Sequence, residues 1–400
     1  MIASRERRPS AIGTAFMRAR SLSLPLYALL MASCGGGEST PVAATPASAT
    51  PSAPVSVPAP PPTENIAAKP AVTAFGYTLA PAAKPEKGNP LPLGKCVNMG
   101  GMLERDVEGD MFGRPIRDDD FATIRAAGFD TVRLPVKYSV HTATTSPYAV
   151  DPALMARVRQ VVDAAVAADL NIIIDLHHYV DVQQSPAAER ERFVAIWRQI
   201  AEAHRNDGPK LWFELLNEPG YEFWNKASTW DIFTPAIREI RRTNPTRPII
   251  VAGNYGSSVQ SLATFDIAMD DPNLIPTFHF YDPKEFTHQG AGWTTINYPM
   301  GRPLQDSDRT SIDLAVSRVK DYMNRTGRVP FLGEYGAYDI DGVNVADRVK
   351  YYGMVSSAFA SIGVQSCAWS FTNGFSLYTK TGWVPGMLDA VQTTTTLMPS

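Results

Sequence analysis

The sequence predicts an α/β protein whose folded part is a (β/α)8 TIM barrel, and three observations carry that expectation. From about residue 92 onward, short apolar runs alternate with amphipathic stretches; eight such runs fit into roughly 310 residues, the size and rhythm of this barrel; and polar residues gather at the C-terminal ends of the runs. Residues 94–99 form the first expected strand, where period-2 counting sends Cys96 and Asn98 to one inward face. A helix over 119–127 leads to the strand 129–135, in which Arg133 follows Thr131-Val132. After a helix over 152–168, the strand 170–176 closes on His177. A helix over 189–205 precedes 211–217, a run of Trp, Phe and Leu broken by Asn217-Glu218-Pro219. A helix over 231–242 separates it from the strand 248–253. The strand 275–281 carries His279 and Tyr281. Helices over 309–325 and 344–361 then flank the strand 329–334, which ends on Glu334, and the last strand, 364–370, carries Trp369. A doubly wound sheet is the rival fold, but it needs a Gly-rich phosphate loop after its first strand, and Cys96-Val-Asn-Met-Gly-Gly-Met102 does not make one.

Upstream of the barrel the composition changes. The 400 residues are 44% hydrophobic with a net charge of -3, which suits a globular protein and excludes a basic nucleic-acid footprint. Residues 34–88 are dominated by Pro, Ala, Ser, Thr and Gly, a composition that buries too little surface to offset its ordering entropy, so they are expected to be a linker with the barrel over 89–400. Residues 1–33 read as an export signal: Arg18 and Arg20 precede an apolar run from Leu22 to Met31 that is too short to span a bilayer. Met17 is the better start within it. The ending Ala32-Ser33-Cys34 resembles a bacterial lipobox, which would make Cys34 the lipidated N-terminus and the protein an exported one, lipid-anchored in the periplasm or at the cell surface; an ordinary secretory signal is the alternative. Cys96 and Cys367 fall on the first and last strands, neighbours on closure. They can bridge in an oxidising compartment, although buried free thiols packed as small apolar groups are favoured.

The strand-end residues form a series: Val132-Arg133-Leu-Pro135, Asp175-Leu-His177-His178, Asn217-Glu218-Pro219, His279-Phe-Tyr281, Gly333-Glu334-Tyr-Gly336 and Ala368-Trp369-Ser370. In this order the chain resembles glycoside hydrolase family five, the cellulase family of the retaining (β/α)8 clan. The resemblance covers about residues 92 to 390 and is greatest to bacterial endoglucanase-like members, whose sixth loop is similar to Asp282–Trp293. It implies that Glu218 is the general acid/base, Glu334 the nucleophile, and Arg133, His177, Asn217, His279, Tyr281 and Trp369 their supporting residues.

The chemistry asks for the same residue types. Retaining cleavage of a glycosidic bond needs one carboxylic acid to protonate the leaving oxygen and a second, about 5 to 5.5 Å away, to attack the anomeric carbon. Arg133 and Tyr281 are placed to keep Glu334 anionic, and repulsion between the pair then raises Glu218. Asn217 is placed to hydrogen-bond the sugar 2-hydroxyl. Glu214 points inward one layer deeper, with Arg133 as its expected partner. Alternation along a strand sends His177, not His178, into the barrel, and no metal-ligand spacing is present, so neither metal nor cofactor is expected. Tyr221, Trp224, Trp293 and Trp369 lie near the mouth, where aromatic faces stack on pyranose rings; Phe223 and Phe371 fit core packing equally well. The expected substrate is a β-1,4-glucan polysaccharide or oligosaccharide cut by a monomer, with mannan or another β-glucan as the alternative. A non-catalytic carbohydrate-binding lipoprotein is the reading from another class, disfavoured because both glutamates and Asn217 are present.

Overall fold

In the computed structural model, which describes residues 71–395 other than 111–112, 221–222 and 224–225, eight parallel strands close into a barrel. They are β1 Cys96–Asn98, β2 Thr131–Val136, β3 Asn171–Leu176, β4 Leu211–Glu214, β5 Ile249–Ala252, β6 Leu274–Phe280, β7 Phe331–Tyr335 and β8 Ser366–Ala368. Around them run α1 Asp118–Ala126, α2 Pro152–Ala167, α3 Pro186–Ala203, α4 Lys226–Thr243, α5 Arg309–Thr326 and α6 Val345–Ala360. Local chemistry sets their ends. Pro152 opens α2, where the Asp151 carboxylate accepts the Ala153 N–H, and the Asn344 side chain accepts from Ala346 and Asp347 at the start of α6. Gly327, left-handed at φ 67°, stops α5. Between β5 and β6 a 3₁₀ turn, Val259–Ala263, stands where a helix would.

Because the barrel is buried on both faces, its strands read as nearly continuous apolar runs. Outward residues such as Val132, Leu134, Ile172, Ile174 and Phe213 join the core shared with the helices. Inward residues stack in layers. At the bottom, Leu91, Leu93, Cys96, Ile173, Trp212, Ile250, Ile275, Phe331 and Cys367 form an apolar plug. One step up each strand the interior turns polar, with Asn98, Arg133, Asp175, Glu214 and Thr277 all buried. That change of polarity puts the chemistry above the plug, at the C-terminal end of the barrel.

Two sequence expectations are revised at the edges of the fold. The structured chain begins before residue 89: Thr73–Ala74 pairs antiparallel with Tyr77–Thr78, and residues 79–89 follow the barrel wall through backbone bonds from Ala80 to Ala360, Ala83 to Gly363 and Lys87 to Gly327. This strap is ordered by the few large side chains in an otherwise small-residue segment. Phe75 fills the space above Gly353 of α6, Leu79 is buried, and Tyr77 lies under the Arg309 guanidinium, 4.1 Å from it, while its hydroxyl donates to Asp313 at 2.7 Å. The export signal with Cys34, and the linker up to residue 70, lie outside the described residues.

The second revision concerns the cysteines, for which free thiols were favoured. Cys367 stands opposite Cys96 in the β8–β1 register with Cα atoms 4.3 Å apart, and the two are joined as a disulfide spanning 271 residues of sequence. Strand closure supplies the proximity, and the bridge ties the seam where the barrel meets itself. Constraining so long a loop in the unfolded chain is worth about 2–4 kcal/mol. We expect a strong reductant to lower the melting temperature of the wild-type protein by roughly 5 °C or more, and to leave a Cys96→Ala/Cys367→Ala variant unmoved. Equal reductant sensitivity in the two proteins, followed by circular dichroism, would remove the staple from this account.

Candidate active site

The site is organised from below by Arg133 on β2, whose side chain is fully buried. All five of its N–H groups have acceptors. Nε and Nη2 grip the two oxygens of Glu214 at 2.7 and 2.8 Å; Nη1 donates to Asn98 Oδ1 at 2.9 Å and Glu334 Oε1 at 2.8 Å; Nη2 also reaches Asn217 Oδ1 at 3.0 Å and Asp175 at 2.9 Å. One guanidinium thus orients side chains from five of the eight strands or their ends. Asn98, by donating to the carbonyls of Gly333, Cys367 and Ala368, ties this centre to β7 and β8.

Glu334 and Glu218 reach the mouth by two different backbone devices. In β7, Phe278 stands opposite Leu332 but His279 stands opposite Glu334, so Gly333 is an extra, bulged residue. The bulge resets the alternation: Phe331 faces the plug, and Glu334 rather than Gly333 presents its side chain inward while Tyr335 joins the outer core. Glycine is needed there, since a Cβ would lie 2.7 Å from Thr277 Oγ1 and 3.0 Å from His279 Nε2. On β4 the regular strand stops at Glu214, so alternation no longer governs residues 215–218. Glu218 takes a left-handed backbone conformation, φ 43°, which lets both Asn217 and Glu218 face the cleft.

The two carboxyl groups then meet different surroundings. Glu334 is buried, and its second oxygen accepts from the Tyr281 hydroxyl at 2.8 Å. The Glu218 side chain is 41% exposed to the cleft and has one charged-group neighbour, His279, whose Nδ1 lies 2.9 Å from Oε1 and 3.5 Å from Glu334. One oxygen of each carboxylate and the His279 nitrogen all lie within 4.8 Å of one another. Desolvation pushes both glutamates up, to about 7; for Glu334 this is opposed by His279, Arg133 and the Tyr281 hydrogen bond, and for Glu218 by the more distant charges of Arg133 and Lys284. Glu334, with the two direct donors, is the member that ionises first, and Glu218 keeps the proton. Burial lowers His279, so it serves as a neutral hydrogen-bond partner. The group Glu218, His279 and Glu334 has the composition of a metal-ligand set, yet both Glu334 oxygens are already committed to Arg133 and Tyr281.

Around this pair lies an open cleft of about 600 Å³. His177 lines it with Nδ1 held by Asp175 at 2.5 Å, and its ring lies parallel to Trp369 at 5.9 Å. Trp293, 52% exposed, packs edge-on against Tyr338 at 4.7 Å and continues through Phe375, His288 and Tyr281 as an aromatic wall. Phe223 and Phe371 are core residues. Tyr221 and Trp224, expected at the mouth, lie outside the described residues. The structure also adds Glu104, Arg105, His178, Lys284, His288, Tyr338, Asn373 and Phe375 to the lining. His178 corrects the expectation that only His177 looks in: β3 ends at Leu176, and at φ 53° His178 turns into the cleft beside its neighbour. These residues sit in loops, where period-2 counting carries no information. Only the loop Asp282–Trp293 contained a usable signal, in Lys284 and His288.

A closed parallel barrel with two facing glutamates over a buried arginine, and an aromatic-walled cleft above, defines the class of barrel glycoside hydrolases. The comparisons with known proteins narrow this. The model of the family described as Cellulase (glycosyl hydrolase family 5) matches residues 94–374, and the chain belongs to that family. Endoglucanase H of Acetivibrio thermocellus is 32% identical over 311 residues, 75% of this chain but 33% of that protein, so the chain spans about a third of that relative's length. Cellodextrinase A of Ruminococcus flavefaciens is 29% identical over 292 residues, 68% of this chain and 83% of the other. Among solved structures, a hyperthermophilic endo-β-1,4-glucanase in complex with substrate matches with a TM-score of 0.71 at 33% identity, covering 75% of this chain and 96% of that one. Thermotoga maritima Cel5A in complex with mannotriose matches with a TM-score of 0.71 at 29% identity, covering 75% and 97%.

Proposed function

We propose that the protein is a retaining, endo-acting β-1,4-glucanase in which Glu334 is the nucleophile and Glu218 the general acid/base. The observation that carries this reading is the asymmetric carboxylate pair: oxygens within 4.8 Å, one group clamped by Arg133 and Tyr281 and the other facing the open cleft. Such a separation leaves no room for a water between them, which favours direct attack over the wider inverting arrangement of about 6.5 to 9.5 Å. In the first step Glu334 attacks the anomeric carbon while Glu218 gives its proton to the leaving oxygen. In the second Glu218, now a base, takes a proton from water, which displaces Glu334 and regenerates both groups. Asn217, with its Oδ1 fixed by Arg133, turns its amide donors toward the sugar 2-hydroxyl. The long aromatic wall and the endoglucanase relatives support a polymeric β-1,4-glucan. The mannotriose complex of a structural neighbour supports β-1,4-mannan as the second reading.

We expect Glu334→Gln to lose several orders of magnitude in kcat on a soluble cellulose derivative, and Glu218→Gln to be similarly impaired there but to recover on aryl glycosides whose leaving group needs no proton. The wild-type pH profile should be a bell. Activity falls on the acid side as Glu334 takes up a proton, and on the alkaline side as pH rises through the Glu218 value near 7. Undiminished polymer hydrolysis by either variant would overturn the role assignments.

Localisation belongs to the same proposal. The export signal and lipobox at Cys34 make the protein an exported, lipid-anchored enzyme, and the Cys96–Cys367 bridge supports folding in an oxidising compartment. Cys34→Ser is expected to move the protein from the detergent phase to the aqueous phase of a detergent partition with its specific activity unchanged. Aqueous partitioning of the native protein with an unmodified Cys34 would contradict the anchor.

A further inference from the structure

We infer that Asn373 is a specificity-determining residue that, with Glu104, reads vicinal equatorial hydroxyls of the pyranose resting on Trp369; this deepens the β-glucanase reading and rests on it. The inference starts from two consecutive glycines after β1. A Cβ at Gly100 would come within 2.8 Å of the Trp369 ring, and a Cβ at Gly101 would fall on the carboxamide of Asn373. The chain therefore forgoes side chains at both positions, and Trp369 and Asn373 take the vacated space, four residues apart on the loop after β8. Glu104 completes the group: it is buried and accepts the backbone N–H groups of Gly101 and Met102. Trp369, Asn373 and Glu104 all line the cleft.

The loop that carries Asn373 is held rigidly. Tyr352 donates its hydroxyl to the carbonyls of Trp369 and Phe375, the Phe375 N–H returns to the Asn373 carbonyl at 2.7 Å, and the Asp339 N–H binds the Gly374 carbonyl at 2.6 Å. Asn373 itself is left-handed, φ 76°, a conformation that asparagine tolerates better than most residues. A carboxamide so placed offers two donors and an acceptor, whereas Glu104 when ionised only accepts. Together they match a pair of neighbouring hydroxyls, each of which both donates and accepts. A sugar lying flat on an indole face projects its equatorial hydroxyls from its edge, where these two groups stand. An axial hydroxyl, as at C2 of mannose, leaves that edge. The pair therefore favours gluco over manno configuration in the ring on Trp369.

The test compares kcat and KM on cellotetraose and mannotetraose for the wild type and Asn373→Gly. Glycine removes the carboxamide and is unstrained at this φ, so a change in the melting temperature is not expected. The proposal requires KM for cellotetraose to rise roughly five- to tenfold with a smaller fall in kcat, and a clearly lesser change on mannotetraose. A loss equal on both sugars, greater on mannotetraose or absent on both overturns it. A wild-type enzyme inert on both substrates overturns instead the β-glucanase reading beneath it.

Discussion

The site depends on one buried cation. Arg133 sits at the boundary between the apolar plug and the polar mouth, in contact with three carboxylates, Asp175, Glu214 and Glu334, and two carboxamides, Asn98 and Asn217. A guanidinium taken out of water is tolerated only when its donors are satisfied, and a fixed planar fork can satisfy all five only if the surrounding strands hold their register. The need to pair that charge therefore fixes where β1, β2, β3, β4 and β7 place their ends relative to one another. Removing it would leave several carboxylates buried without a counter-charge, so stability and chemistry are lost together at this position.

The same cation produces the asymmetry on which catalysis rests. Two glutamates within 4.8 Å share a site in which burial raises both, and a pair so placed holds a proton near neutral pH. Which member holds it is decided by hydrogen bonding: Arg133 and Tyr281 donate to Glu334, and neither donates to Glu218. Asp175 is likewise pushed up, to about 7, by desolvation. It grips His177 as well as Arg133, so the wall of the cleft and its floor belong to one hydrogen-bonded network.

Most of the barrel was legible in the sequence because each buried strand is a short apolar run with a polar residue at its end. All eight expected strands and six expected helices have counterparts, shifted by a few residues. The inward set Cys96, Asn98, Arg133, Asp175, His177, Glu214 and Trp369 follows simple alternation. Counting fails where the backbone leaves the regular strand. The bulge at Gly333 re-aims Glu334, positive φ turns Glu218 and His178 into the cleft, and the loop residues Glu104, Tyr338 and Asn373 obey no period at all. The strap over 71–88 was hidden by its composition, since three large side chains among prolines and alanines are enough to dock it. The disulfide needed the strand register, which sequence spacing does not contain.

The claim that Glu334 forms a covalent bond to the sugar is tested most directly by the configuration of the first product. Two successive displacements at the anomeric carbon restore its starting geometry, so hydrolysis of a β-1,4-linked oligosaccharide followed by proton NMR in its first minutes should show the β-anomer of the new reducing end, with the α-anomer growing only as mutarotation proceeds. An α-anomer appearing first would mean a single displacement by water, and the clamped Glu334 would then be a base rather than a nucleophile.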